Sequence, residues 1–170
     1  RPTRDAAWSM ALSWLFSQGW LGDAIDVEKL RVGSDYRRIH DLGVRIVTEI
    51  SDDTALYGAV LALANVIDAS FDSNIDTDQA LDLLEELWSL TDTKLPDSAN
   101  IQHDGYKVIA WSALHRVRCS IYDRAKFKRG LNKQDLGRIW HDLITRAWDI
   151  QNTADRVYVI TLVAKDIAHF

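Results

Sequence analysis

An aromatic residue recurs along the 170-residue chain at nearly constant intervals, at Trp8, Tyr57, Tyr106 and Tyr158. The intervals are 49, 49 and 52 residues. Each aromatic residue begins an apolar stretch with helical spacing, and each follows a short polar turn that contains an Asp. Self-similarity with a period of about 20–50 residues is typical of stacked helical units. The recurrence therefore constrains the architecture strongly, and it constrains the chemistry very little.

The similarity between units extends beyond the aromatic residues. A shift of 101 residues, the sum of the last two intervals, places His40-Asp41-Leu42 on His141-Asp142-Leu143 without a gap. Arg37, Arg45, Tyr57 and Leu61 then coincide with Arg138, Arg146, Tyr158 and Leu162. The predicted unit is a first helix, a tight turn and a second helix that starts with the aromatic residue. Each pair has an apolar face that only a neighbouring pair can cover.

In architecture, this unit resembles the helix-pair solenoids of tetratricopeptide-like and HEAT-like proteins. The stretch Gly22-Asp23-x-x-Asp26 is similar to a tetratricopeptide turn, although the period of about 50 residues exceeds the usual ~34 or ~40–47. The resemblance implies an α-solenoid and carries over no functional residues. The alternative is an irregular helical bundle, in which amphipathic helices resemble one another only because they share the same spacing.

Helical periodicity predicts an all-α fold of seven to eight antiparallel helices, with no β-sheet. Only two prolines and eight glycines interrupt the pattern. Asn132 and Asn152 precede helical stretches and are expected to act as N-caps. We expect a single domain over 1–170, which can be a fragment of a longer chain. The predicted helices cover about 3–18, 23–31, 34–50, 54–69, 77–91, 104–127, 133–150 and 154–170.

The composition favours a reducing compartment. Cys119 is the single cysteine, which excludes an internal disulfide and a multi-cysteine metal site. No apolar run approaches the ~18–20 residues that span a bilayer, and Arg1–Asp5 leads into an amphipathic helix instead of a signal peptide. We therefore expect a cytoplasmic protein without membrane contact or cofactor.

The net charge of −5 conceals a segregation of charge along the chain. Residues 51–106 contain one base and twelve acids, whereas residues 107–146 contain ten bases and three acids. Such asymmetry can indicate an anionic partner. It can also indicate a solvated helix end, or a basic face that complements an acidic neighbour. The candidate anion-binding residues are Arg124, Lys126, Lys128, Arg129 and Lys133, with Phe127 available to stack.

Three weaker motifs have structural alternatives that we prefer. The segment 72–78 has alternating oxygen ligands like a calcium loop, but Thr77 replaces the expected Gly, and Asp76 with Gln79 suits a capping box instead. Cys119 lies four residues after His115, as a catalytic pair would, yet a lone helical cysteine is usually a core residue. The two His-Asp pairs would need further converging ligands to hold a metal.

The leading functional hypothesis is a non-catalytic, protein-binding scaffold of helical repeats. It follows from the repeat and from the absence of a phosphate-binding loop or a recognised catalytic motif. Both chain ends lie in amphipathic helices without a polar capping helix, so self-association through helix ends is a further expectation. The alternatives are binding of nucleic acid or another anionic partner through the basic 107–146 segment, and a small all-α enzyme without a recognised motif.

The nucleic-acid alternative makes a direct prediction. If Arg124–Lys133 forms a binding patch, the protein binds mixed-sequence DNA or RNA at about 50 mM salt, and the affinity falls steeply as salt rises because counterions are released. Fluorescence anisotropy with a labelled oligonucleotide measures both quantities. Absence of binding at that salt concentration contradicts the alternative.

Overall fold

The computed structural model describes residues 40, 44, 48, 53–71, 75–94, 101–126 and 128–168. Within them the backbone forms helices and turns, and Phe71 and Ile75 form an isolated bridge. His40, Val44 and Thr48 are helical. The all-α prediction is confirmed for this part of the chain, and the predicted helices 3–18 and 23–31 lie outside it. The helices are α1 (Asp53–Ser70), α2 (Thr77–Lys94), α3 (Ile101–Arg124), α4 (Lys133–Trp148) and α5 (Thr153–Ile167).

Polar side chains start three of these helices, as the sequence predicts. The Asn132 side chain accepts a hydrogen bond from the backbone N–H of Asp135 at 2.9 Å, and Asn152 caps α5 in the same way. Before α2, Asp76 and Gln79 form a reciprocal capping box with distances of 2.9 and 3.1 Å. These bonds satisfy N–H groups that have no partner within the first helical turn.

Helix α3 lies at the centre of the described part and contacts each of the other four helices. Nine consecutive residues, Lys107–His115, are buried, so the helix has no solvent-facing side over this length. A helix that is buried all round needs partners on every side. The other helices therefore owe their positions to α3, and their apolar residues form one continuous core with it.

The helices α1 and α5 run parallel to α3, whereas α2 and α4 run antiparallel to it. Two contacts at different positions along each helix give its direction. For α1 and α5 the contacts are Tyr57–Tyr106, Asp68–Ser120, Val159–Gly105 and Asp166–Ser112. For α2 and α4 they are Trp88–Trp111, Asp92–Lys107, Leu136–His115 and Arg146–Trp111.

The recurring tyrosines occupy different environments. Tyr57 and Tyr106 are half-buried and stack with their ring centroids 4.8 Å apart. Tyr158 is 56% exposed and does not anchor the core. Its helix buries the next residue, Val159, against Gly105 instead. Burial, with the nearby Tyr158 and Tyr106, raises the pKa of Tyr57 above its ordinary value.

None of the helices in the described ranges combines the length and apolar character that a membrane-spanning helix requires.

Substitution of two glycines should change the stability of the protein in opposite directions, because Gly105 is closely packed and Gly137 is not. A Cβ on Gly105 would lie 3.2 Å from Val159 Cγ2, so Gly105→Leu should overpack the α3–α5 contact and destabilise the protein by about 1–3 kcal/mol. Around Gly137 in α4, no described atom lies within 4 Å of such a Cβ, so Gly137→Ala should stabilise by about 0.5–1 kcal/mol. Urea unfolding followed by circular dichroism measures both changes. Equal effects of the two substitutions would contradict the packing described for α3 and α5.

Candidate binding cleft

The acidic and basic segments of the sequence pair with each other inside the protein. The Arg116 guanidinium lies 3.7 Å from an Asp68 carboxylate oxygen, and it also lies 3.3 Å from Asp166. The buried Lys107 ammonium lies 2.6 Å from Asp92. These contacts join α3 to three neighbouring helices. The charge asymmetry thus serves, at these positions, to attach a basic central helix to acidic neighbours.

Two of the five candidate anion-binding residues are engaged by carboxylates. Arg124 donates to the Asp68 carboxylate and lies over the Phe71 ring at 4.9 Å. Arg129, which has a positive φ of 41°, donates to Asp82 at 2.9 Å and lies 3.3 Å from Asp78. The hydrogen bond to Asp82 raises the pKa of Arg129, which strengthens its hold on the proton.

The other three candidates have different surroundings. Lys128 donates to the Tyr122 carbonyl and lies over the Tyr122 ring at 4.5 Å. Lys126 and Lys133 are exposed on either side of the turn that precedes α4, and Phe127 lies outside the described residues. Anion binding here stays a prediction. A phosphate would have to replace carboxylates at Arg124 and Arg129, and the loss of those ion pairs would reduce the favourable free energy of phosphate binding.

A cleft of about 580 Å³ opens between α2 and α4. Its volume is within the range of about 300–1,000 Å³ that is usual for ligand pockets. Arg118 of α3 and Trp88 of α2 both line it. The remaining lining residues come from α2, from the turn before α4 and from α4 itself; they are Leu81, Glu85, Ser89, Arg129, Gly130, Leu131, Asn132, Asp135, Leu136 and Ile139.

Stacked indole rings fix the wall of the cleft that α2 provides. The rings of Trp88 and Trp111 lie 4.9 Å apart with an interplanar angle of 8°, and Trp111 Nε1 donates to the Trp88 carbonyl at 3.3 Å. Lys107 and Arg146 lie over Trp111 at 4.7 and 5.1 Å. Stacking and cation–π contacts of this kind restrict the ring to one orientation. The indole of Trp88 is therefore a preformed surface.

Arg118 is the distinctive polar group of the cleft. Its guanidinium lies 5.5 Å from the Trp88 ring centroid, and the Glu85 charge acts on it. Among the described residues, no side chain or carbonyl accepts a hydrogen bond from it. Desolvation lowers the pKa of Arg118, an effect that Glu85 partly opposes. A guanidinium has five N–H donors and no acceptor, so Arg118 can donate hydrogen bonds to a ligand. In the sequence, Arg118 is one of ten bases between residues 107 and 146, and no local pattern distinguishes it from the others.

The pair His115 and Cys119 does share a helical face, as predicted, but it is buried and uncharged. Burial lowers the pKa of His115 to about 4 and raises that of Cys119 to about 11. The His115 Nε2 donates to the Leu136 carbonyl at 2.9 Å, and Cys119 Sγ lies 3.8 Å from the same nitrogen. Thiolate chemistry needs a depressed thiol pKa, which this environment opposes.

The two His-Asp pairs have unlike surroundings. His40 Nε2 lies 2.6 Å from a Glu86 oxygen, whereas His141 is exposed and lies 3.7 Å from its neighbour Asp142. Within the described ranges, no group of three or more His, Cys, Asp or Glu side chains is arranged to hold a metal ion. Residues 72–74 of the calcium-like segment lie outside those ranges.

Comparison of the chain with known protein families, with curated proteins and with solved structures finds no match.

Burial of His115 predicts a specific dependence of stability on pH. The folded pKa of about 4 lies below the ordinary 6.5, so the unfolded chain binds an extra proton between these values. The contribution of His115 to the free energy of unfolding is therefore fully present above pH 6.5, where the imidazole is neutral in both states. It is lost as the pH falls towards 4, by up to about 1.4 kcal/mol per pH unit. Urea unfolding of His115→Gln at pH 4.5–7 should show a flatter profile than the wild type. The matched control is His141→Gln at an exposed site, and a profile equal to that of His115→Gln would contradict the assignment.

Proposed function

We propose that the protein is a non-catalytic, protein-binding scaffold built as an α-solenoid of helix pairs. A single observation carries the proposal: contacts between the parallel helices join residues separated by roughly one sequence period. Arg116 meets Asn65 at a separation of 51 residues, and Ser120 meets Asp68 at a separation of 52. Between α3 and α5, Ser112 meets Asp166 at a separation of 54.

This register has a simple physical meaning. If one helix pair repeats along an axis, each helix meets its equivalent in the next pair at the same height, so the contact separation equals the repeat length. The stack of Tyr57 on Tyr106, two residues that the 49-residue interval also aligns, fits that geometry. In an irregular bundle, nothing would require the sequence period and the contact separation to agree.

The alternating directions support the same architecture. In an array of helix pairs, first helices form one layer and second helices form another. The set α1, α3 and α5 would be the second-helix layer, with α2 and α4 in the first-helix layer. His40 belongs to a helical stretch and meets Glu86 of α2, as a further member of the first-helix layer would. Seven to eight helices over 1–170, in one domain, is the arrangement that we propose.

Binding is the use that such an array supports best. A solenoid places side chains from successive pairs along one extended surface, which suits a partner protein. In the proposed array, the cleft between α2 and α4 would lie between successive first-layer helices. Trp148, Val157 and Tyr158, each 56–58% exposed, supply an apolar surface at the α4–α5 end that self-association would cover. The buried, neutral Cys119 and His115 favour binding over catalysis.

The test is selection of binding peptides with the entire chain. Immobilised protein is screened against a phage library of random twelve-residue peptides, beside a helical protein of similar size and charge. Enriched sequences are synthesised, their affinities are measured by calorimetry, and hydrogen exchange locates the protected residues. We expect peptides with micromolar dissociation constants and protection confined to one face of the helices. Enrichment no greater than for the comparison protein would overturn the scaffold proposal.

A further inference from the structure

We propose that the cleft between α2 and α4 binds an extended peptide segment of a partner protein, in which an acidic side chain is flanked by apolar ones. The peptide carboxylate pairs with Arg118, and the apolar side chains pack on Trp88 and Ile139. This inference rests on the proposed binding function and specifies the site and the ligand class.

Charge complementarity selects a carboxylate as the partner of Arg118. Its fork of N–H donors matches the two oxygens of a carboxylate, and the paired hydrogen bonds are stronger than those between neutral groups. Since Arg118 is mostly desolvated and its pKa is lowered, an anion there would restore interactions that the guanidinium has lost. Trp88 beneath it keeps the guanidinium plane in place.

The other charged groups of the cleft already have partners. Arg129 is held by Asp78 and Asp82. The Asp135 carboxylate accepts a hydrogen bond from the Asn132 side-chain amide at the start of α4, and one of its oxygens lies 3.4 Å from Arg138. Glu85 acts on Arg118 through its charge, without a hydrogen bond to it. A ligand carboxylate would compete with Glu85 for the charge of Arg118. Removal of the Glu85 charge should therefore strengthen binding, whereas removal of the Arg118 charge should weaken it.

The dimensions favour a peptide over a single small molecule. The lining residues of α2 run from Leu81 to Ser89, eight residues apart, which corresponds to about 12 Å along the helix axis. An extended chain covers that distance with about four residues. Partly exposed apolar lining side chains from both walls and from the turn between them, Trp88, Leu131 and Ile139, provide places for more than one ligand side chain.

The probes are two phage libraries of eight-residue peptides that differ at one fixed position. In the first library a central Asp is flanked by random apolar residues, and in the second the central residue is Asn. The complete chain is screened with both, and the best Asp peptide is synthesised together with its Asn counterpart. We expect the Asp peptide to bind about ten-fold more tightly, because a charge-assisted bidentate contact is lost in the amide. Hydrogen exchange should show protection at 81–89 and 131–139.

Three variants assign the contact to Arg118. Arg118→Gln should weaken the Asp peptide about ten-fold and leave the Asn peptide unchanged, whereas Glu85→Gln should strengthen the Asp peptide several-fold by removing a repulsive charge. The matched control is Lys165→Gln, which changes charge equally on exposed α5 and should have no effect. Circular dichroism confirms that each variant is folded. If Arg118→Gln does not fold, the opposite effect of Glu85→Gln alone decides.

The outcomes separate this inference from the proposed function. Equal affinity of the protein for the Asp and Asn peptides would overturn the inference and leave the scaffold proposal standing. Protection of residues outside the cleft by the bound peptide would have the same consequence. Sodium phenylacetate is a small carboxylate with one apolar ring. If it binds as tightly as the Asp peptide, the proposal that the ligand is a peptide is wrong. Failure of every library, including the random one, would overturn both proposals.

Discussion

The described structure depends on covering α3 on all sides. Nine consecutive buried residues, Lys107–His115, give this helix no face for water, and two of them are ionisable. The Lys107 ammonium pairs with Asp92 and lies over an indole ring, and His115 stays neutral. A buried charge without such a partner would be strongly destabilising. The requirement to enclose α3 thus determines which side chains its neighbours present to it.

A polar seam on α3 organises the parallel contacts. Its members, Ser112, Arg116, Ser120 and Arg124, are spaced by four residues and therefore lie on one stripe of the helix. They bind Asn65 and Asp68 of α1 and Asp166 of α5. Since directional hydrogen bonds restrict sliding more than apolar contacts do, the seam fixes the height of α1 and α5 against α3. The agreement of contact separation with sequence period depends on this register.

The same physics explains why one arginine differs from the rest. Arg116, Arg124 and Arg129 each meet a carboxylate, and their charges are used in holding helices together. Arg118 projects from another side of α3, where α2 and α4 leave a cleft, and there it meets an aromatic ring. Clustering of bases in a sequence therefore does not show which of them pair with carboxylates in the folded protein.

The sequence by itself determined the all-α character of the described residues and the N-caps of α2, α4 and α5. These features depend on local physics: apolar spacing of 3.6 residues, side-chain oxygens that accept from free N–H groups, and the rarity of Gly and Pro within helices. Asn132, Asn152, and Asp76 with Gln79 could each be assigned from a few neighbouring residues. The packing of α3 could be foreseen only in part, since an all-round apolar segment predicts burial without naming the neighbours.

Only the tertiary structure decided which charges pair and which surfaces stay open. Tyr158 has the same place as Tyr57 in the proposed repeat and yet is exposed, because no described helix stacks on it as Tyr106 stacks on Tyr57. Arg118 differs from its basic neighbours only by its direction from α3 and by what lies there. Burial and pairing depend on residues some fifty positions apart. A short stretch of sequence does not indicate which distant residues it contacts, so the candidate site could be identified only from the packed helices.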